Sequence, residues 1–342
     1  MTGSNRIENI IFDDNPGGGA TNMVKSTATS GTIEIFNYSG GFSGENFDNN
    51  PNNLLVWLDP PTVTWTGTVS TDWFTPANWD SGTVPLISQT VIIPQALNEP
   101  IITDNASIAV AKNLNLEVNA VMKINTSDAD AIDLQIDGDI IFDASSSLSS
   151  LGNDDNIEIA GSWIRLSNAL FTSGTSQITF NSTSGAELID ANDSFYDLII
   201  NTAGSMTLSV DLAVSNDFTI IAGTFNLSNY DMTAGEDFVN NGTFNAGTQT
   251  LSLVPTTTSS PKIFNPGSST YYNLIIGEIA GKDVEYDLAN DLSSAHDFDL
   301  VIGTLDPNTY NISLGNDDGS QDEINILGSL VVEANETMSL GD

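Results

Sequence analysis

The sequence predicts an all-β chain wound as a right-handed parallel β-helix, a β-solenoid with coils of about 19–23 residues. Three observations lead there. Gly185, Gly204, Gly223 and Gly242 stand 19 residues apart and open related tetrapeptides: Gly185-Ala-Glu-Leu, Gly204-Ser-Met-Thr, Gly223-Thr-Phe-Asn and Gly242-Thr-Phe-Asn. A second phase runs beside it at a step of 20, in Asp197-Leu-Ile-Ile, Asp217-Phe-Thr-Ile and Asp237-Phe-Val-Asn. A unit this short cannot close its own core, so it must stack on its neighbours. Finally, apolar residues alternate in short runs such as Leu114-Asn-Leu-Glu-Val, Ile157-Glu-Ile, Gln177-Ile-Thr-Phe and Thr250-Leu-Ser-Leu, with no stretch of helical period.

Gly, Asn, Asp and Ser break these runs, and all four accept turn and left-handed conformations. Short strands joined by such corners describe a coil of three strands. If the period is one circuit, the four glycines share a corner and Met206, Phe225 and Phe244 share an internal row. A longer repeat overlies the short one. Phe195-Tyr-Asp-Leu-Ile-Ile returns as Tyr271-Tyr-Asn-Leu-Ile-Ile 76 residues on, and Asn216-Asp-Phe returns as His296-Asp-Phe 80 residues on, so about four coils make one super-repeat. Tandem β-sandwiches would match that length but not the 19-residue period inside it.

Three parts follow: 1–61, the tail of a preceding β unit; 62–103, a Trp-rich cap segment; and 104–342, the β-helix, with super-repeats near 195–270 and 271–342. Pro60-Pro61 breaks the first ladder. Trp65, Trp73 and Trp79 supply three of the five tryptophans, large rings suited to covering an open first coil.

Seven Lys and Arg face 45 Asp and Glu, a formal net charge of −38. Nucleic acid and membrane insertion are excluded as partners, since there is neither a basic face nor an apolar run of ~18 residues. With no cysteine, thiol catalysis, disulfides and zinc-thiolate sites are excluded too. The N-terminus shows neither a basic nor an apolar leader region, and both ends read as cut from a longer array.

The stretch from Trp65 to Ile102 carries Trp-Thr-Gly, Asp-Trp, Asn-Trp, Val-Pro and Val-Ile-Ile-Pro in that order. It resembles a module of the large repetitive surface adhesins of Bacteroidetes exported by type IX secretion. Residues 31–59, from Gly-Thr-Ile through Asn-Asn-Pro-Asn-Asn to Trp57, look like the closing segment of such a unit. The resemblance implies an extracellular, cell-surface protein with a structural and adhesive role in attachment or gliding, and it supplies no catalytic residue. Its expected partners are further repeats of the same or a longer chain, assembly into a fibre, and a surface or glycan target.

His296, the only histidine, aligns with Asn216 and so reads as an ordinary corner residue rather than an acid, base or ligand. Aromatic pairs such as Phe195-Tyr196 and Tyr271-Tyr272 recur in coil phase and read as core stacking. The candidate metal residues are Asn153, Asp154 and Asp155, with their repeat Asn316, Asp317 and Asp318. Clustered carboxylates and carbonyls at these corners suit calcium, which takes six to eight oxygens; the same residues also form plain turns. The alternative function is a β-helical polysaccharide lyase or hydrolase, or its glycan-binding module, built on paired carboxylates.

Overall fold

Strands alternate with Asx and Gly corners throughout, and the chain winds into a parallel β-solenoid with virtually no helix. The computed structural model describes residues 62–104, 107–127, 131–183, 194–258, 261–277, 284–315, 323–331 and 337–340. It also gives the backbone of the strands Asn5–Ile7, Val24–Lys25, Ile33–Ile35, Asp48–Asn49, Leu55–Trp57 and Ala186–Asp190. Within residues 1–61, Asn5–Ile7, Ile33–Ile35 and Leu55–Trp57 pair in parallel, the pairing mode of the solenoid.

Each turn has three sides. Side one begins with Thr62–Thr64 and Thr90–Ile93 and continues through Asn113–Leu116, Ile140–Phe142 and Trp163–Arg165 to Thr243–Asn245. Side two runs from Ala109–Ala111 to Ser329–Leu330. Side three starts at Ile101–Thr103, and its later rungs run from Ser194–Phe195 to Ile324–Ile326. In-register partners are 19 residues apart at Tyr286 and Leu305 (305 − 286) and 26 apart at Phe238 and Phe264 (264 − 238), so loops at the corners absorb the variation in coil length.

The core is one continuous column because alternate residues of every strand point inward. Met206, Phe225 and Phe244 form the expected row: Met206 pairs with Phe225, and Phe225 with Phe244, whose rings stack at 6.0 Å. Phe195 and Tyr271 are fully buried, while Tyr196 and Tyr272 beside them are half-exposed. Gly204, Gly223 and Gly242 share a corner. A Cβ on Gly223 would lie 2.9 Å from the Gly204 carbonyl, and one on Gly242 would lie 2.6 Å from the Gly223 carbonyl. Gly185 lies outside the described residues.

The solenoid begins within the tryptophan segment rather than at residue 104. Thr62–Thr64, Thr90–Ile93 and Ile101–Thr103 are already rungs. Trp65, Trp73 and Trp79 are buried and pack edge to face, at 4.9 Å and 4.7 Å. Fully buried Asn78 holds them: its side chain accepts from Val69 N and Ser70 N and donates to Ser70 Oγ and the Asp72 carbonyl. All of its amide hydrogen-bonding groups are therefore engaged.

The long repeat does not return the chain to the same side. Phe218 lies on side two, in register with Phe238 and then Phe264. Its counterpart Phe298 lies on side three, in register with Leu274, Leu251, Met232 and Leu212. Following the strands from Phe218 to Phe298 takes three full turns and two further sides, not four coils. The same shift moves a left-handed corner residue: Ser228 (φ 60°) precedes a side-three strand, whereas its counterpart Asn308 (φ 57°) follows the side-two strand Thr304–Asp306. The three sides are thus interchangeable as far as sequence is concerned, each asking only for an alternating strand and an Asx corner.

Gly223 adopts φ +89°, and an added Cβ would also meet the Thr202 carbonyl at 2.6 Å. Gly223→Ala is expected to destabilise the fold by about 2 kcal/mol in chemical denaturation, combining left-handed strain with backbone overlap. Gly82→Ala, at φ +69° with open space around it, should cost less.

Candidate functional site

Many of the described acidic residues accept hydrogen bonds from the backbone of a neighbouring coil. At a corner the parallel ladder is interrupted, which would leave the first N–H of the next strand without a backbone acceptor. An Asp or Asn of the preceding coil supplies one. On side two, Asp197 Oδ1 accepts Asp217 N at 3.0 Å, Asp217 Oδ1 accepts Asp237 N at 3.0 Å, and Asp237 Oδ1 accepts Ile263 N at 2.8 Å. Side one repeats the device with Asn113 accepting Asp139 N and Asp139 accepting Ser162 N. Side three uses Asp211 for Asp231 N and Asp231 for Thr250 N. After the shift of sides the columns continue as Asn273 to Asp297 to Glu323 and Asp291 to Asn311 to Thr337.

Stacking these carboxylates has an electrostatic consequence. Burial pushes the Asp197 carboxyl above the ordinary aspartate range, against the Asp217 N–H and the Asn216 amide, with Asp154 adding to the rise. Asp217 is raised by burial, opposed by the Asp237 N–H, and raised further by the charges of Asp197 and Asp237; Lys262 pulls it down.

His296 occupies the same kind of position. Its Nδ1 lies 3.0 Å from Asn273 Oδ1, as Asn216 Nδ2 lies 2.7 Å from Asp197 Oδ1. The ring also stacks on Tyr272 at 4.6 Å and an interplanar angle of 8°, and sits 3.0 Å from the Asp297 carboxylate. The histidine substitutes for an asparagine in a corner column.

Of the candidate metal residues, Asn316, Asp317 and Asp318 lie outside the described residues. Asn153 and Asp154 are exposed, Asp154 at φ 68°, while Asp155 is fully buried and turned the other way. Asp155 Oδ1 accepts Thr126 N at 3.0 Å and Thr126 Oγ1 at 2.6 Å; Oδ2 accepts Ser150 Oγ at 2.5 Å and Gly152 N at 3.0 Å. Four donors fill the acceptor sites of the Asp155 carboxylate. Sequence reasoning did not single out a different group: Glu285, Asp287 and Asp306, half-buried, offer carboxylate oxygens within 4.8 Å of one another. Asp287 and Asp306 are in register on adjacent rungs. Burial, then the Asp306 charge, raises the Asp287 carboxyl, opposed by hydrogen bonds from the Asn308 and Glu285 side chains. Three oxygens are fewer than the six to eight that calcium takes. The signal was in the sequence, as Asp306 falls one coil after Asp287, but only the register makes them neighbours.

The chain belongs to the family described as a domain of unknown function, DUF8693, which matches residues 64–275. No curated protein and no solved structure matches significantly. The match opens inside the tryptophan segment, consistent with cap and coils forming one unit.

Three outcomes test the structural reading of these carboxylates. An acid whose folded pKa is raised binds more protons folded than unfolded, so stability falls as pH rises through the window from the ordinary 3.8 upward and levels off above it. The melting temperature should therefore be higher near pH 5 than at pH 7 at fixed ionic strength. Asp217→Asn should flatten that slope without loss of stability, because Asn113, Asn273 and Asn311 already perform the same task. Asp155→Ala should cost about 3 kcal/mol by orphaning buried donors. The cost should be equal in calcium, in matched sodium and in chelator.

Proposed function

We propose that this chain is a segment of an extracellular, repetitive bacterial surface or filament protein whose work is to span distance and adhere, of the attachment or gliding type. The observation that carries it is the use of the acidic residues: on all three sides, described aspartates accept backbone N–H groups from the next coil and so hold coil to coil. A core that grows along one axis gives reach without a size limit, and a net charge of −38 gives a solvated exterior. The tryptophan cap with its resemblance to surface adhesins supports the same reading. Its partners are further repeats of the same or a longer chain, in fibre form, and a surface or glycan target.

A polysaccharide-active enzyme is the second reading, and one observation favours it. Glu285, Asp287 and Asp306 form a carboxylate group on the surface of the stack, one member of which has a raised pKa, as acid catalysis on glycans requires.

Immunogold imaging of the source cells separates the two. Label outside the cell envelope, and weaker surface attachment after in-frame deletion of the coils, is the expected result. Label confined to the cytoplasm would refute the proposal, as would turnover of an acidic glycan by the purified chain that Asp287→Asn abolishes.

A further inference from the structure

Of the four basic residues whose burial is described, Lys112, Lys123, Arg165 and Lys262, the last is buried in the solenoid. Lys262 is 5% exposed and Glu236 is 4% exposed, and the lysine Nζ contacts Glu236 Oε2 directly. The other ion pairs among the described residues, such as Lys112 with Asp137 and Lys123 with Glu99, are partly solvated. Glu236 lies just before the side-two strand Phe238–Asn240, and Lys262 opens Lys262–Asn265, the next rung on the same side. Any bond between them ties two successive coils.

The surroundings are those of an acyl-transfer site. Glu236 Oε1 faces two backbone donors, Thr256 N at 2.9 Å and Thr257 N at 2.7 Å, with the Thr256 hydroxyl beside them. Paired backbone N–H groups on one carboxylate oxygen stabilise the charge that develops there when a nucleophile adds to the carbon. Thr257 Oγ1 lies 2.9 Å from Lys262 Nζ and 2.9 Å from Glu236 Oε2, so one hydroxyl touches both the nucleophile and the potential leaving oxygen. A salt bridge needs none of this directional asymmetry between the two oxygens.

We infer that Lys262 and Glu236 condense to an intramolecular amide, a covalent cross-link between neighbouring coils. Burial disfavours the charged forms, so the ammonium gives a proton to the carboxylate, leaving amine and carboxylic acid. The amine lone pair adds to Glu236 Cδ, forming the C–N bond while Oε1 takes the negative charge under the Thr256 and Thr257 N–H groups. The Thr257 hydroxyl accepts a proton from the nitrogen and passes its own to Oε2. The C–Oε2 bond then breaks, Oε2 leaves as water and the Oε1 carbonyl re-forms. In sum, one carboxylate and one ammonium give one amide and one water, with no oxidant, reductant or cofactor. Fixed proximity in a dry site provides the driving force that a free amine and acid in water lack.

Intact-mass spectrometry of the full chain under denaturing conditions is the test. The wild type should be lighter than its sequence mass by about 18 Da, one water. Peptide mapping should recover a branched peptide joining residues 236 and 262. Glu236→Gln, which releases ammonia instead, should converge on the same final mass as the wild type, and Lys262→Arg should keep its full mass. An unshifted wild-type mass would overturn the inference. So would a lost water that maps to an imide at Asp137-Gly138 rather than to a branch.

Discussion

Everything in this stack depends on what happens to a backbone N–H at a corner. Inside a strand the parallel ladder satisfies it, but where the chain turns from one side to the next the ladder has a gap. At many corners the gap is filled from the preceding coil by an Asx side chain, as when Asp197 serves Asp217, Asp217 serves Asp237 and Asp237 serves Ile263, while at others a backbone carbonyl serves, as Asp155 does for Gln177 N. Each coil thereby prepares the acceptor for the next. The arrangement is directional and open-ended, which suits a repeat array, and it concentrates carboxylates in columns one rung apart. Burial is the first cause of the raised carboxyl pKa at Asp197 and Asp217, and the column neighbours Asp197 and Asp237 add to the rise at Asp217.

The same dependence explains why a long repeat can change sides. A strand needs inward apolar residues at alternate positions and an Asx at its start, and those demands are identical on all three sides. Leu212-Ala-Val-Ser-Asn-Asp-Phe sits on sides three and two. Its counterpart Leu292-Ser-Ser-Ala-His-Asp-Phe sits on the strand column begun by Thr270–Tyr271 and on side three. Aromatic packing tolerates the shift because the core is shared: Phe238 and Phe264 of side two pack with Phe244 of side one and with Tyr271, five ring pairs at 5.3–6.1 Å.

Much of this was legible before the structure. The 19-residue glycine period located a shared corner and the row Met206, Phe225 and Phe244, because in a solenoid sequence offset is spatial stacking. The alignment of His296 with Asn216 gave its corner role although the two lie at corners of different sides, because those corners ask for the same kind of residue. What escaped depends on geometry that offset does not encode. The cap boundary was set by composition, whereas Thr62–Thr64 and Thr90–Ile93 are rungs by hydrogen bonding. Asn153-Asp154-Asp155 reads as three adjacent ligands, yet the turn sends Asp155 inward and its neighbours outward. Asn78 and the Glu236–Lys262 pair carry no period at all, so nothing in a repeat analysis marks them.

The central claim, that acidic side chains complete the ladder across the corners, is tested most directly by amide hydrogen exchange at single-residue resolution. The N–H groups of Asp217, Asp237 and Ile263 should be protected to the level of strand amides such as those of Ile220 and Phe238. Asp197→Ala should expose the Asp217 amide while leaving those of Asp237 and Ile263 protected, since each acceptor serves only the coil above it. Rapid exchange at these corners in the wild type, or no change at Asp217 in the variant, would contradict the account.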